Sequence, residues 1–150
     1  MDYSHSFAIS AAGMTAERTR VDVAAINLAN ANSVLAADGS GFRPLRAVIQ
    51  AGPASLFDQM VGQGLASEDA GVTLPRAEVM PDATALSRSR YEPGHPMADN
   101  RGMVSYPAVD TAAEMVTLMT ATRAYEANVA AMNASRSLAL KALDIGGRNG

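Results

Sequence analysis

The sequence predicts a mainly α protein with a small β insertion, in which long amino- and carboxyl-terminal helices form a coiled-coil-like core and a short β-hairpin region lies between them. Three observations carry this expectation. All seven prolines lie between Pro44 and Pro107, and before Gly39 the only glycine is Gly13. Both ends of the chain repeat apolar residues at helical spacing, whereas the middle is punctuated by proline, glycine and aspartate. Tryptophan is absent and aromatics make up only 5% of the chain, while alanine is abundant. That composition suits closely packed helices better than a deep pocket lined with rings. The expected division is a discontinuous helical domain, 1–33 with 109–145, and a β/loop insertion with its connector at 34–108.

The first helix is expected from about Ser4 to Asn32. Phe7, Met14, Val21 and Leu28 recur every seven positions, and Ala24 and Ala31 complete a three-four pattern near its end. Ser10 and Glu17 interrupt the stripe, and Gly13 lowers helix propensity by about 1 kcal/mol relative to alanine. Asn30, Asn32 and Ser33 offer local backbone hydrogen bonds that stop the helix.

The last helix is expected from Val109 to Leu143, a stretch without proline or glycine. Met115, Leu118, Thr122, Tyr125, Val129, Met132, Arg136, Ala139 and Leu143 step alternately three and four apart and fall on one stripe. At about 1.5 Å of rise per residue this is a rod of roughly 50 Å, longer than a domain of this size needs for its own core. Such a helix wants a partner. Thr111 and Glu114 have the spacing of a capping box, with Asp110 as an alternative cap.

Between the helices, Asp38-Gly39-Ser40-Gly41 reads as a turn. Leu45 to Ala51 is short and apolar enough for a strand. Gly52 to Gly71 reads as a loop. Val72 to Met80 alternates after Pro75 and reads as an edge strand, with Thr84 to Tyr91 expected to pair with it.

The formal charge of −3, with acids and bases interspersed, gives no electrostatic footprint for nucleic acid or an anionic membrane. Cysteine is absent, so disulfides, thiolate nucleophiles and cysteine metal sites are excluded. Met1 to Ser6 carries no lysine or arginine and the first basic residue is Arg18, so a cleavable secretory signal is not expected. No apolar run approaches the eighteen or so residues of a membrane span.

The run Ala25-Ile26-Asn27-Leu28-Ala29-Asn30-Ala31-Asn32-Ser33 resembles the amino-terminal signature of the bacterial flagellar axial proteins, the building blocks of rod and hook. A second pattern is more specific. Tyr91-Glu92-Pro93-Gly94-His95-Pro96-Met97-Ala98-Asp99 is similar to the Tyr-acid-Pro-x-His-Pro-x-Ala-Asp box of a proximal-rod family among them. Gly102 to Asp110, Arg123 to Asn128 and Ser137 to Leu143 resemble the same family's approach to, and passage through, its last helix. Ala108 stands where an asparagine is usual and Met103 where an aromatic is common. Pro53 to Ala83 carries no recognised pattern.

Chemistry finds little support. His95 near Asp99 is the one arrangement that suggests acid–base work, yet a general base needs an orienting group and a substrate pocket, and two histidines cannot supply a histidine metal site. The prolines flanking Gly94-His95 instead fix a rigid turn, so Pro93, Gly94, His95 and Pro96 are read as a structural element that aims the chain at the last helix. No enzyme activity, cofactor or metal is expected.

The resemblance implies a structural subunit of the proximal rod of the flagellar basal body. It implies a periplasmic rod location, export without a cleavable signal through the flagellar type III apparatus, and neighbours among other rod proteins, copies of itself, and rotor-ring and export-gate components at the rod base. The expected subunit-contact residues are Leu28, Met115, Leu118, Tyr125, Val129, Met132 and Leu143, with Asn27 and Asn30 as polar register contacts. The alternatives are another flagellar axial rod subunit, a cytoplasmic coiled-coil adaptor, and a small hydrolase using His95 and Asp99.

Overall fold

A computed structural model describes residues 3–36, 38–51 and 74–147 of the chain. Two long helices flank four strands: α1 (Tyr3–Asn30), β1 (Leu45–Ala51), β2 (Pro75–Pro81), β3 (Ser87–Tyr91), β4 (Met103–Pro107) and α2 (Thr111–Gly147). The mainly α architecture with a small β part follows the sequence expectation. The stretch read as a loop, 52–71, lies wholly outside the described residues, as do the first two residues of the edge strand expected at 72–80. Two compact units divide the chain, one of Met1–Arg18, Ile49–Glu78 and Arg123–Gly150, the other of Thr19–Val48 and Val79–Thr122. Each unit takes one stretch of each helix.

In the first unit the helices meet through small or polar residues. The hydroxyls of Ser6 and Ser135 lie 2.8 Å apart. Gly13 sits so close to Asn128 that an added Cβ would stand 2.8 Å from its Nδ2. From the first contact to the second, α1 advances seven positions and α2 retreats seven, the signature of an antiparallel pair. A larger residue at 13 would have to displace the Asn128 amide, which favours glycine there despite its poor helix propensity.

The second unit is organised by one buried amide. Asn27 is 1% exposed. Its Nδ2 donates to the Leu45 carbonyl at 2.8 Å and to Glu114 Oε1 at 2.7 Å, and its Oδ1 accepts the Leu45 N–H at 2.8 Å. One side chain thereby ties α1 to the start of β1 and the first turn of α2. Ala24 and Ala121, both fully buried, bring the backbone close enough for this. Glu114 is engaged here, and Asp110 caps α2 instead, with its Oδ1 accepting the N–H groups of Ala112 and Ala113 at 3.0 and 3.1 Å.

The expected pairing of Thr84 to Tyr91 with the second strand is corrected. β1 pairs with β2, and β3 pairs antiparallel with β4, Ser87 opposite Pro107 and Tyr91 opposite Met103. The cause lies in the turns. Asp82 N–H donates to the Pro44 carbonyl, closing the β1–β2 end, and the Asp82 carboxylate then accepts the Thr84 N–H and hydroxyl in an Asx turn that leads the chain away. At the far end of β3, Asp99 Oδ1 accepts the N–H groups of Arg101 and Met103, both at 2.8 Å, and folds β4 back. Gly102, with φ of 74°, completes this return under the Tyr91 ring, where a Cβ would stand 2.9 Å from Cε2. Val104 and Pro107 of β4 are fully buried, and the segment after α1 adds along its other edge through Leu35 N–H to the Ser105 carbonyl, 2.8 Å.

Three predictions follow from this packing. Asn27→Ala takes away the side-chain partners of the part-buried Leu45 N–H and C=O and of Glu114, and is expected to cost about 1–3 kcal/mol in denaturant unfolding. Asn27→Asp places a carboxylate against that of Glu114, so its defect should be greatest at neutral pH and shrink as pH falls through the carboxylate range, because one proton shared between the pair relieves the repulsion. Gly13→Ala should fail to bring the usual propensity gain, whereas Gly13→Ala with Asn128→Ala should exceed either single variant in melting temperature; strict additivity would rule out the contact as the constraint. The Met103 and Arg101 N–H groups hold the Asp99 carboxyl below its ordinary value of 3.8. A depressed acid stabilises its turn above the ordinary value and loses that contribution as pH falls through the lowered one. The Arg101 and Met103 amide resonances should therefore titrate with a midpoint under 3.8.

Candidate assembly surface

The apolar residues of α2 divide into a packed face and an outward one, and the expected stripe contributes to both. In the second unit Ala121 is fully buried and Leu118 half-buried, while Met115, Val116 and Met119 are 56%, 56% and 55% exposed. In the first unit Ala124, Asn128, Val129, Met132 and Ser135 are half-buried, and Tyr125, Leu138, Leu140, Leu143 and Ile145 are exposed. Of the expected stripe, Leu118, Val129, Met132 and Ala139 are half-buried while Thr122, Tyr125 and Arg136 are exposed, with Ala121 buried and Ala124 and Ser135 half-buried one residue earlier. Small side chains permit the short interhelical distance seen at Gly13 and Asn128, and Met115, Tyr125 and Leu143 stay on the outside. A run of exposed large apolar side chains along a helix makes a candidate contact surface.

The residues expected as contacts thus fall into three groups. Met115, Tyr125 and Leu143 are exposed; Leu28, Leu118, Val129 and Met132 are half-buried and divide their surface between the chain's own packing and solvent; Asn27 is buried with its amide engaged inside the chain. Asn30 is half-buried, and its Nδ2 donates to the Ile26 carbonyl at 2.9 Å while its own carbonyl accepts the Ser33 N–H and hydroxyl, closing the end of α1. Val116, Met119, Leu138, Leu140 and Ile145 join the outward surface although the seven-residue repeat omits them. Their signal in the sequence was the apolar character of α2 on more than one face.

The turn at 92–99 is built almost entirely from backbone. His95 N–H donates to the Glu92 carbonyl and Ala98 N–H to the His95 carbonyl, both at 3.0 Å, while His95 Nδ1 accepts the Met97 N–H at 3.1 Å. Pro93, Gly94 and Pro96 are exposed and His95 half-buried. The imidazole and the Asp99 carboxylate each serve the chain locally, so the pair forms no acid–base dyad. Among the described residues no cluster of three or more His, Cys, Asp or Glu is placed to hold a metal.

A polar network beside this turn went unforeseen, because Met103 to Pro107 was read as a connector and not as a strand. The Tyr106 hydroxyl donates to Glu92 Oε2 at 3.0 Å, and Arg90 Nε pairs with Glu92 Oε1 at 3.1 Å. Partial desolvation and then this bond to Glu92 push the Tyr106 phenol above its ordinary value. Arg88 lies 5.8 Å from the Tyr106 ring centre, and its Nη2 donates to the Ala31 carbonyl and to Asn32 Oδ1, each at 3.0 Å. The last turn of α1 has no basic residue of its own, so β3 supplies the cation that favours a helix carboxyl terminus.

Comparison with known proteins agrees with this architecture. Residues 100–145 match the family model described as flagellar basal body rod FlgEFG protein C-terminal. The chain is 40% identical over 140 residues to the flagellar basal-body rod protein FlgC of Escherichia coli O6:H1, covering 93% of this chain and 95% of the relative. It is 36% identical over 146 residues to FlgC of Bacillus subtilis, covering 95% and 97%, and 33% identical over 138 residues to FlgC of Aquifex aeolicus, covering 92% of each. Likeness at this level over nearly the whole length, on a chain whose two helices flank a small β part, places it: the chain belongs to the FlgC family of flagellar basal-body rod proteins.

Proposed function

We propose that this chain is a structural subunit of the flagellar basal-body rod, in its proximal part, and that it assembles with other rod proteins and with copies of itself into the shaft that transmits motor torque. Family membership supports the rod, and one observation supports the manner of assembly: α2 turns its small residues inward and keeps Met115, Val116, Met119, Leu138, Leu140, Leu143 and Ile145 exposed. In this reading the outward residues join a coiled-coil-like layer of helices from several subunits, where each buried large side chain contributes about 1.5–3 kcal/mol. The helices of 1–33 and 109–145 form that layer and the segment 34–108 lies outside it. Asn27 acts as an internal positioning residue, and Leu28, Met115, Leu118, Tyr125, Val129, Met132 and Leu143 supply the contacts. Export proceeds through the flagellar type III apparatus without a cleaved signal, and the rod base brings the chain near rotor-ring and export-gate components. The chain carries no chemistry of its own in this role.

Met115→Asp and Leu143→Asp are the sharpest test, because both side chains are outward and neither change opens the packed face. Each should abolish swimming while the protein remains at wild-type level in whole-cell immunoblots, and mass spectrometry should find the unaltered chain in purified hook-basal bodies. Normal motility from both variants, or a chain absent from complete basal bodies and recovered as a discrete cytoplasmic oligomer, would return the adaptor reading to the front.

A further inference from the structure

The β3–β4 hairpin has one edge covered and one open, and the open one is equipped for a ligand. Glu92 N–H donates to the Gly102 carbonyl, which makes that pair hydrogen-bonded across the ladder. In an antiparallel ladder such pairs alternate with pairs whose backbone groups point away from each other. Arg88 opposite Tyr106 and Arg90 opposite Val104 are therefore bonded inward, and Ser87, Ser89 and Tyr91 direct N–H and C=O to the outer edge of β3. The opposite edge obeys the same alternation, since the Ser105 carbonyl points away from β3 and is taken by Leu35. All five residues of β3 are exposed, and no strand among the described residues pairs with its outer edge.

Charged residues on an edge strand often serve to block pairing with another chain. Here both arginines are drawn to one face: Arg88 onto the Ala31 carbonyl, Asn32 and the Tyr106 ring, and Arg90 onto Glu92. With Ser89, Asn32 and Tyr106 they line a shallow recess of about 500 Å³. Arg88 uses only Nη2 in these bonds and Arg90 only Nε, which leaves N–H donors on both guanidiniums. The arginines stand two residues apart, so an added strand would meet them with two of its own residues at the same spacing.

From this geometry we infer that the free edge of β3 is a strand-addition site for an extended segment of another protein, one bearing two carboxylates two residues apart, which pairs with the backbone of Ser87, Ser89 and Tyr91 and sets its acids against Arg88 and Arg90. Backbone pairing supplies affinity and the carboxylates supply choice. The occupant is a different protein, because no two acidic residues in this sequence stand two positions apart. The inference goes beyond the rod reading and stands on β3 alone.

Titration of the full chain with the blocked peptide acetyl-Thr-Glu-Val-Glu-Val-Thr-amide, followed by amide NMR, tests it. Saturable shifts should concentrate at Ser87, Ser89 and Tyr91, and the lysine counterpart acetyl-Thr-Lys-Val-Lys-Val-Thr-amide should bind at least about tenfold more weakly. Ser89→Pro removes an outward N–H without touching the ladder to β4, and should weaken the glutamate peptide by at least about tenfold. Arg90→Glu should reverse the preference between the two peptides. No saturation at millimolar peptide would overturn the inference. So would binding that Ser89→Pro leaves unchanged, which would mean contact of surface charges without strand addition.

Discussion

The interaction on which the second unit depends is the amide of Asn27. A primary amide can donate twice and accept twice, and this one uses both donors and one acceptor on partners far apart in sequence, Leu45 and Glu114. Asn27 is buried and its partners are part-buried, so loss of the amide would strip Leu45 and Glu114 of these bonds where water replaces them only in part. Few other side chains fit: aspartate lacks the donors, glutamine is a methylene longer, and leucine satisfies nothing. A single residue thereby ties the end of α1 to the start of β1 and to the first turn of α2, whose beginning Asp110 caps.

The helices obey a different constraint. Ser6, Gly13 and Ala16 on α1, and Ala121, Ala124, Asn128 and Ser135 on α2, lie on the packed faces and are too small to bury much apolar surface. What they permit is closeness, and dispersion between well-matched surfaces stands in for bulk. Leu118, Val129 and Met132 stay half-buried among them, while Met115, Leu138 and Leu143 are exposed.

Much of this was legible in the sequence, and the rest was hidden for physical reasons. The two helices, the strand at Leu45 to Ala51 and the turn around His95 follow from periodicity and from proline placement. Which members of the α2 stripe stay exposed did not, because a hydropathy stripe ranks Met, Leu and Tyr above Ala and Ser, whereas close helix packing also selects by size. Asn27 looked like an exposed or intersubunit residue, since burial of a polar group depends on partners eighteen and eighty-seven positions away that local patterns do not register. β4 was missed because Pro107 and its neighbours resemble a connector, and its pairing to β3 rests on the return turn at Asp99 and Gly102.

The contact between Ser6 and Ser135 spans 129 positions of chain, and this separation has a consequence in time as well as in space. Loop-closure entropy must be met before such a contact returns anything, and folding slows as native contacts grow distant in sequence. Until the residues around 128 and 135 are free to approach, Gly13 and Ser6 have nothing to pack against, and α1 has only its own helix propensity, lowered at Gly13, to hold it. The helical part of the first unit is therefore expected to close as one step, once both ends of the chain are available.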